Sequence, residues 1–142
     1  MIVLSWNVRG LGSARRRRVL RRLIRRCRPN IVVLQETKLS NFDLSVFRSF
    51  WGHHPIDFGS VAFCDLSGGL LTIWDPAVVS GILFHSSFHD ISLSLTNNDG
   101  FVWCLSNVYD PNVGGTRRNF LAPFRVSSLP MGAHGSVLGI SI

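Results

Sequence analysis

The sequence IVLSWNVRGLGSARRRRVLRRLIRRCRPNIVVLQETK, residues 2–38, decides the fold. Two short runs at its ends are apolar at consecutive positions and flank one amphipathic segment. This order is typical of a buried parallel strand, a crossover helix and a second parallel strand. Asn7 closes the first run and Glu36 the second. In a right-handed unit of this kind both side chains lie outside the carboxyl ends of the strands, where open sheets bind ligands. The two residues are therefore candidates for half of a metal-dependent active site.

The middle of this stretch predicts a helix with Ser13 as N-cap and Pro29 as its stop. Its apolar stripe is formed by Val19, Leu20, Leu23, Ile24 and Cys27. Residues 15–28 contain nine arginines and no acid, which leaves 6 basic and 8 acidic residues in the rest of the chain. Two interpretations stay open for this charge, a solvated outer face and a phosphate-contacting stripe.

Composition sets the class of protein. A chain of 142 residues with 46% hydrophobic content is long and apolar enough for one domain with a core. No apolar run has the roughly 18 residues that a membrane span needs. The three cysteines form no C-x-x-C pair, which favours a reducing compartment, nuclear or cytoplasmic. The arginine-rich, acid-free beginning leaves a mitochondrial location as the alternative.

The rest of the chain predicts sheets more than helices. A short helix is expected over residues 42–51, and His53 and His54 are expected in a loop. Strand patterns follow at residues 59–64, 70–74, 78–88, 91–95 and 101–109, separated by turns, which is typical of an antiparallel meander. A short helix over residues 116–120 precedes a tail whose periodicity fails after residue 124.

The candidate residues have ordinary explanations when each is taken alone. Glu36 is the only glutamate of the chain, and it could face solvent, pair with Lys38 or an arginine, or hold a cation. Asparagine at a strand end, as at Asn7, is common turn chemistry. The triplet Ser67-Gly68-Gly69 is typical of a hairpin turn.

Four segments together resemble a known family. They are Ser5-Trp6-Asn7-Val8-Arg9-Gly10-Leu11-Gly12, Leu34-Gln35-Glu36-Thr37-Lys38, Ser67-Gly68-Gly69 and Asn107-Val108-Tyr109-Asp110-Pro111-Asn112. In this order they resemble the endonuclease/exonuclease/phosphatase superfamily, most narrowly the endonuclease domain of plant non-LTR (LINE-type) retrotransposon polyproteins. The resemblance implies an α+β fold, an incomplete β-sandwich with flanking helices. It covers residues 1–124, a partial domain, and leaves residues 125–142 as a divergent tail.

The resemblance also implies roles for single residues. Glu36 matches the carboxylate that binds catalytic Mg²⁺, with Mn²⁺ as the alternative ion, and Asn7 matches the asparagine that supports the metal and phosphate site. Tyr109 matches the tyrosine whose hydroxyl lies near the scissile phosphate. Asn112 and Arg9 match contacts to nucleic acid, with DNA as the expected partner. The chemistry is consistent, since phosphodiester hydrolysis needs a hard cation on the phosphoryl oxygens.

Two motifs of the family do not occur in these 142 residues. One is a strand ending in Gly-Asp-x-Asn and the other is a Ser-Asp-His segment, which supply the groups that orient the attacking water. We therefore expect a truncated, catalytically impaired endonuclease-like domain. Codons for residues 139–142 can encode Asp-Phe-Asn in another frame, which suggests a frameshift. The alternatives are a basic nucleic-acid-binding fragment without catalysis and a non-functional remnant.

Overall fold

The computed structural model describes residues 1–65, 68–109, 124–128 and 138–141. These ranges form two helices, α1 (Ala14–Cys27) and α2 (Leu44–Phe50), and nine strands. The strands are β1 (Ile2–Asn7), β2 (Ile31–Gln35), β3 (Asp57–Val61), β4 (Leu70–Trp74), β5 (Val79–Ser86), β6 (Asp90–Asn97), β7 (Val102–Val108), β8 (Phe124–Ser128) and β9 (Leu138–Ser141). The predicted α+β fold, an incomplete sandwich with flanking helices, is confirmed.

The first sheet has the strand order β3-β4-β2-β1-β9. β1 and β2 are parallel neighbours, with Asn7 opposite Gln35, so the predicted βαβ unit is present. β4 pairs antiparallel with β2 and with β3. The predicted strands therefore do not form one antiparallel meander, because the first two, β3 and β4, lie in the same sheet as the parallel pair.

The second sheet has the order β5-β6-β7-β8 and is antiparallel throughout. Its inner face packs against the first sheet, and together they enclose one core. This core is formed by Val3, Ile31, Val33, Leu70, Trp74, Val79, Ile91, Leu93, Leu95, Trp103 and Leu105.

The helices cover the other face of the first sheet and create a second core. Successive side chains of a strand point to opposite faces. Val33 therefore faces the second sheet while Val32 and Leu34 face the helices. Leu20 of α1 and both Phe47 and Phe50 of α2 are the buried helical partners in this second core. The first sheet is thus covered on both faces at its centre, which is why β2 and β4 are apolar at consecutive positions.

The helix predictions are correct in place and differ in detail. Ser13 is the N-cap of α1, but its side chain makes no capping hydrogen bond. Val19, predicted in the buried stripe, is 40% exposed, because only one narrow side of α1 reaches the core. α2 is shorter than predicted and begins after Asp43, whose carboxylate accepts a hydrogen bond from Ser45 N–H.

The tail differs from the prediction that periodicity ends at residue 124. β8 adds an antiparallel strand beside β7, and β9 adds a parallel strand beside β1. These pairings join segments far apart in sequence, which local patterning does not reveal. The helix predicted over residues 116–120 lies outside the described ranges. Neither α1 nor α2 is long and apolar enough to cross a bilayer, and Cys27, Cys64 and Cys104 are free thiols.

Candidate active site

Asn7 and Glu36 meet at the carboxyl ends of β1 and β2. The Asn7 side-chain amide donates a hydrogen bond of 2.8 Å from Nδ2 to Glu36 Oε1. Asn7 is exposed and Glu36 half-buried, so the pair lies at the surface. The predicted proximity of the two side chains is confirmed, because the parallel register places Asn7 opposite Gln35, one residue before Glu36.

Backbone hydrogen bonds hold together the loops that follow β1 and β2. The amides of Val8, Gly10 and Leu11 donate to the carbonyls of Gln35, Glu36 and Thr37, at 3.0, 2.7 and 2.7 Å. The parallel ladder thus continues past the end of the sheet into both loops. As a result, Glu36 sits in a backbone fixed from the β1 side.

Left-handed backbone conformations concentrate in the loops directly after β1 and β2. This edge of the first sheet, where Asn7 and Glu36 meet, is called the rim below. Arg9, Glu36 and Lys38 have φ of 51°, 51° and 52°, and in the described ranges only Arg28 is another non-glycine residue with positive φ. Each costs on the order of 1 kcal/mol for an L-residue. Such conformations persist where the surroundings impose them, and they cluster at functional sites. Here the hydrogen bonds of the two loops impose them.

Gly68 and Gly69 bring the β3–β4 connection against Glu36. Gly69 and Gly68 accept hydrogen bonds of 3.0 Å from the amides of Thr37 and Lys38. A Cβ on Gly69, whose φ is +82°, would lie 2.5 Å from Thr37 Oγ1. A Cβ on Gly68 would lie 3.1 Å from Glu36 Cγ. The glycine pair, predicted as an ordinary turn, therefore permits a close approach that a side chain would prevent; Ser67 lies outside the described ranges.

Tyr109 and Glu36 both lie close to Gly68, next to the position that a Cβ would occupy there. The position of a Cβ on Gly68 is 3.3 Å from Tyr109 Cζ, the ring carbon that carries the hydroxyl. The amide of Tyr109 donates a 2.7 Å hydrogen bond to the carbonyl of His89, in the turn between β5 and β6. Tyr109 directly follows β7, so the second sheet positions this side chain beside the rim of the first sheet. Nothing in the sequence pattern pointed to His89 as its support.

A buried polar network lies directly behind the rim and joins the two sheets. Asn107, fully buried, accepts a 2.9 Å hydrogen bond from Gln35 Nε2. Its own amide nitrogen donates to Leu34 O and to Thr72 Oγ1, each at 3.2 Å. Gln35 precedes Glu36, and Asn107 lies two residues before Tyr109. The network therefore fixes the distance between the carboxylate and the phenol.

The charges narrow the explanations for Glu36. Among the described residues its carboxylate forms no ion pair with an arginine or a lysine, so of the three alternatives the pairing with Lys38 or an arginine is not found there. Solvent exposure and cation binding remain. The side chain of Arg9 is exposed near this rim, and its carbonyl accepts a hydrogen bond from the Arg16 guanidinium. Asn112 lies outside the described ranges.

The atoms gathered at the rim are hard oxygen donors. The residues that carry them are Glu36, with its carboxylate, Asn7, with its amide oxygen, and Tyr109, with its hydroxyl. The described residues contain no group of three or more His, Cys, Asp or Glu side chains that could enclose a metal. One carboxylate with neutral oxygens fits Mg²⁺, which keeps several waters and is often held by one or two carboxylates plus substrate oxygens.

Comparisons with known proteins bear on the family and the fold. The sequence profile of the endonuclease/exonuclease/phosphatase family matches residues 4–132. The crystal structure of an AP endonuclease from Leishmania major superimposes with a TM-score of 0.57 at 19% identity, over 78% of this chain and 40% of that one. The chain thus spans about two fifths of that structure. No curated protein matches it.

Proposed function

Because the chain belongs to the endonuclease/exonuclease/phosphatase family, we propose that the Asn7–Glu36 rim is a Mg²⁺-dependent phosphodiesterase site for DNA, impaired in the 142-residue chain. The observation that carries the proposal is the 2.8 Å hydrogen bond between Asn7 and Glu36. Tyr109 and Glu36 both approach Gly68, so the phenol lies beside this pair. Three side chains distant in sequence converge there through two sheets.

Each residue has a distinct part in the proposed chemistry. Glu36 supplies the carboxylate that would hold the cation, and Asn7 orients it through the amide hydrogen bond. A bound Mg²⁺ would neutralise charge on the phosphoryl oxygens. The Tyr109 hydroxyl would donate to a phosphate oxygen at the same place. Arg9 and Asn112 remain proposed contacts to the DNA.

We propose that catalysis is impaired because the described rim lacks groups that would orient the attacking water. Hydrolysis needs a base or carboxylate that orients the attacking water. The Gly-Asp-x-Asn and Ser-Asp-His motifs, which supply such groups in the family, do not occur in the 142 residues. Within the described ranges, Glu36 is the only carboxylate that we place at the rim. The chain therefore keeps cation and phosphate binding while the water stays unactivated.

Metal binding and catalysis are tested separately. We expect Mn²⁺, used as a paramagnetic probe, to broaden the amide resonances of residues 7–10 and 36–38. Glu36→Gln should abolish this broadening because the amide carries no charge. Asp99→Asn is the matched control, since Asp99 is an exposed acid whose Oδ1 accepts a 3.0 Å hydrogen bond from Phe101 N–H in a distant turn. Broadening that is absent, or that survives Glu36→Gln, would disprove the metal site.

Catalysis is measured as nicking of supercoiled plasmid DNA by the 142-residue chain. We expect no Mg²⁺-stimulated nicking. Nicking that requires Mg²⁺ and disappears in the Glu36→Gln variant would show that the chain is an active enzyme, and the proposed impairment would be wrong. Nicking unaffected by that substitution would indicate a contaminating nuclease.

We also propose a retrotransposon origin, of the plant LINE type, on the four sequence segments that resemble that endonuclease domain. Genomic sequence downstream of codon 142 tests it. We expect one of its frames to encode a Ser-Asp-His segment followed by a reverse transcriptase. The frameshift hypothesis requires in addition that codons 139–142 read GGG ATT TCA ATC, so any other codons there would exclude it.

A further inference from the structure

A cavity of about 620 Å³ lies at the opposite end of the first sheet from Glu36. Asn30, which precedes β2, and Asp75, which follows β4, both line it, whereas Glu36 comes after β2. Its volume falls within the range of roughly 300–1,000 Å³ that is typical of small-ligand sites. The cavity is therefore separate from the candidate active site and large enough to hold a ligand.

The exposed residues of the lining are all basic. Arg21, Arg25 and Arg28 come from α1 and the residue after it, and His53 and His54 come from the loop after α2. All five are exposed. The buried part of the lining is apolar and is formed by Pro29, Phe50 and Trp51. Three guanidiniums thus face one carboxylate, that of Asp75, across a partly apolar cleft.

Two arginines at the beginning of α1 have a structural role that the cavity arginines lack. Arg16 and Arg17, at its beginning, donate hydrogen bonds to carbonyls of the β1–α1 loop, among them Arg17 Nη1 to Leu11 O at 2.9 Å. These guanidiniums hold the loop that carries Arg9 and Gly10. Their role in the fold explains positive charge at a helix N-terminus, where the helix dipole opposes it.

The cavity arginines have no comparable role in the fold. In the part of the chain that the structure describes, none of the three forms an ion pair, and no hydrogen bond from their side chains is found. Arg21 and Arg25 are four residues apart on one helix face, where like charges repel each other. Asp75 offsets them only in part: it carries a single charge, forms no ion pair with them among the described residues, and its Oδ1 accepts a 2.9 Å hydrogen bond from Ala77 N–H. An anion in the cavity would relieve this repulsion.

We propose that this cavity binds the phosphate of a nucleotide, either free or within a single strand of nucleic acid. Guanidinium groups form paired hydrogen bonds with phosphate oxygens, which a lone ammonium does not. The exposed imidazoles and guanidinium planes offer surfaces on which a base can stack. The proposal does not depend on the proposed phosphodiesterase function, because the two sites share no residue.

The indole N–H of Trp51 reports on the cavity. It donates a 3.3 Å hydrogen bond to Pro55 O within the loop that carries both histidines. The indole N–H of Trp103 donates to Asn97 Oδ1 at 3.0 Å in the second sheet and serves as the internal reference. NMR spectra of the ¹⁵N-labelled 142-residue chain are recorded during titration at ionic strength held constant with sodium chloride. The probes are adenosine 5′-monophosphate and an oligothymidylate of about six nucleotides.

We expect the Trp51 resonance to move while that of Trp103 stays in place. Movement with the monophosphate identifies a free nucleotide as sufficient, and movement with the oligonucleotide alone identifies the strand as the source. The Glu36→Gln variant should give the same titration as the unaltered chain, so failure of the metal site does not affect this result. A Trp51 resonance that neither probe moves would overturn the proposal.

Two double variants with equal charge loss test the arginines. Arg21→Gln/Arg25→Gln removes two cavity guanidiniums, and Arg18→Gln/Arg22→Gln removes two exposed ones with the same spacing that do not line the cavity. We expect the first variant to weaken binding by about tenfold or more and the second to have a far smaller effect. Asp75→Asn, which keeps the acceptor for Ala77 N–H, should tighten binding. Equal losses in the two double variants would show only a diffuse basic face and would overturn the proposal.

Discussion

The two sheets of this protein differ in how many faces they bury. In the first sheet, β2 and β4 are buried at every position, because the helices cover one face and the second sheet covers the other. In the second sheet, β7 alternates, with Trp103, Leu105 and Asn107 buried and the residues between them partly exposed. The first sheet is thus an interior layer. The second sheet, called the outer wall below, buries only one of its faces.

This difference explains where chemically active side chains can stand. A strand buried on both faces reaches solvent only at its ends, so a polar residue at such an end marks a rim with high specificity. Asn7 and Glu36 occupy these positions on neighbouring strands. A polar residue in the second sheet carries less information, because half of its positions face outward. Ser92 and Ser106, for example, only bond each other at 2.8 Å.

The largest predicted effects test the double burial itself. Leu70 and Leu71 are neighbours in β4 and belong to different cores. We expect Leu70→Ala and Leu71→Ala each to lower the free energy of unfolding by about 2–5 kcal/mol. In β7, Leu105→Ala should cost as much, whereas the adjacent Ser106→Ala should cost about 1 kcal/mol or less. Urea unfolding followed by circular dichroism measures all four.

Burial of the first sheet on both faces is contradicted if Leu71→Ala lowers the free energy of unfolding as little as Ser106→Ala does. That result would mean that α1 and α2 do not cover the outer face of the first sheet in solution, because Leu71 belongs to the core beneath them. A large cost at Ser106 would instead indicate that the second sheet is also covered on its outer face.

Sequence patterns predicted the local parts of this structure well. The βαβ unit, the stop of α1 near Pro29 and β4 all follow from periodicity and turn residues, which are local properties. The meeting of Asn7 with Glu36 follows as well, because one parallel register determines it. Tyr109 was assigned to the site by family resemblance alone, since two sheets must pack before it comes near Gly68.

Features that depend on packing between distant segments were not predictable. The network around Asn107 joins three strands, and an asparagine at a strand end indicates only turn chemistry when it is taken locally. The cavity brings α1 together with the loop of His53 and His54, which the sequence places in separate elements. β9 pairs with β1 across more than 130 residues. None of these contacts leaves a periodic signal.

Substitutions at two glycines near the interface between the sheets are expected to change the stability by an intermediate amount. A Cβ on Gly81 of β5 would lie 2.7 Å from Trp74 Cζ2, whereas a Cβ on Gly59 of β3 would lie 3.5 Å from its nearest neighbour, Ile91 Cγ2. We expect Gly81→Ala to destabilise the protein by about 1–3 kcal/mol, because the indole is buried and has little room to move. Gly59→Ala should be neutral or stabilising by about 0.5 kcal/mol, since alanine restricts the unfolded chain. Thermal unfolding compares the two, and similar losses at both positions would mean that the sheets pack more closely around Gly59 than the structure shows.

The smallest effect on stability concerns the outer wall. Ile82 and Phe84 of β5 are 71% and 58% exposed, on a strand at the edge of the described four-stranded sheet. Ile82→Thr and Phe84→Thr should each change the free energy of unfolding by less than about 0.5 kcal/mol, because little apolar area returns to water. Solubility should rise, since exposed apolar side chains on an edge strand favour association; light scattering over a range of protein concentrations measures this. Ile91→Thr is the buried control on the neighbouring strand and should cost several times more. A loss at Ile82 as large as that at Ile91 would show that β5 is covered in solution, and the outer wall would then be a second interior layer.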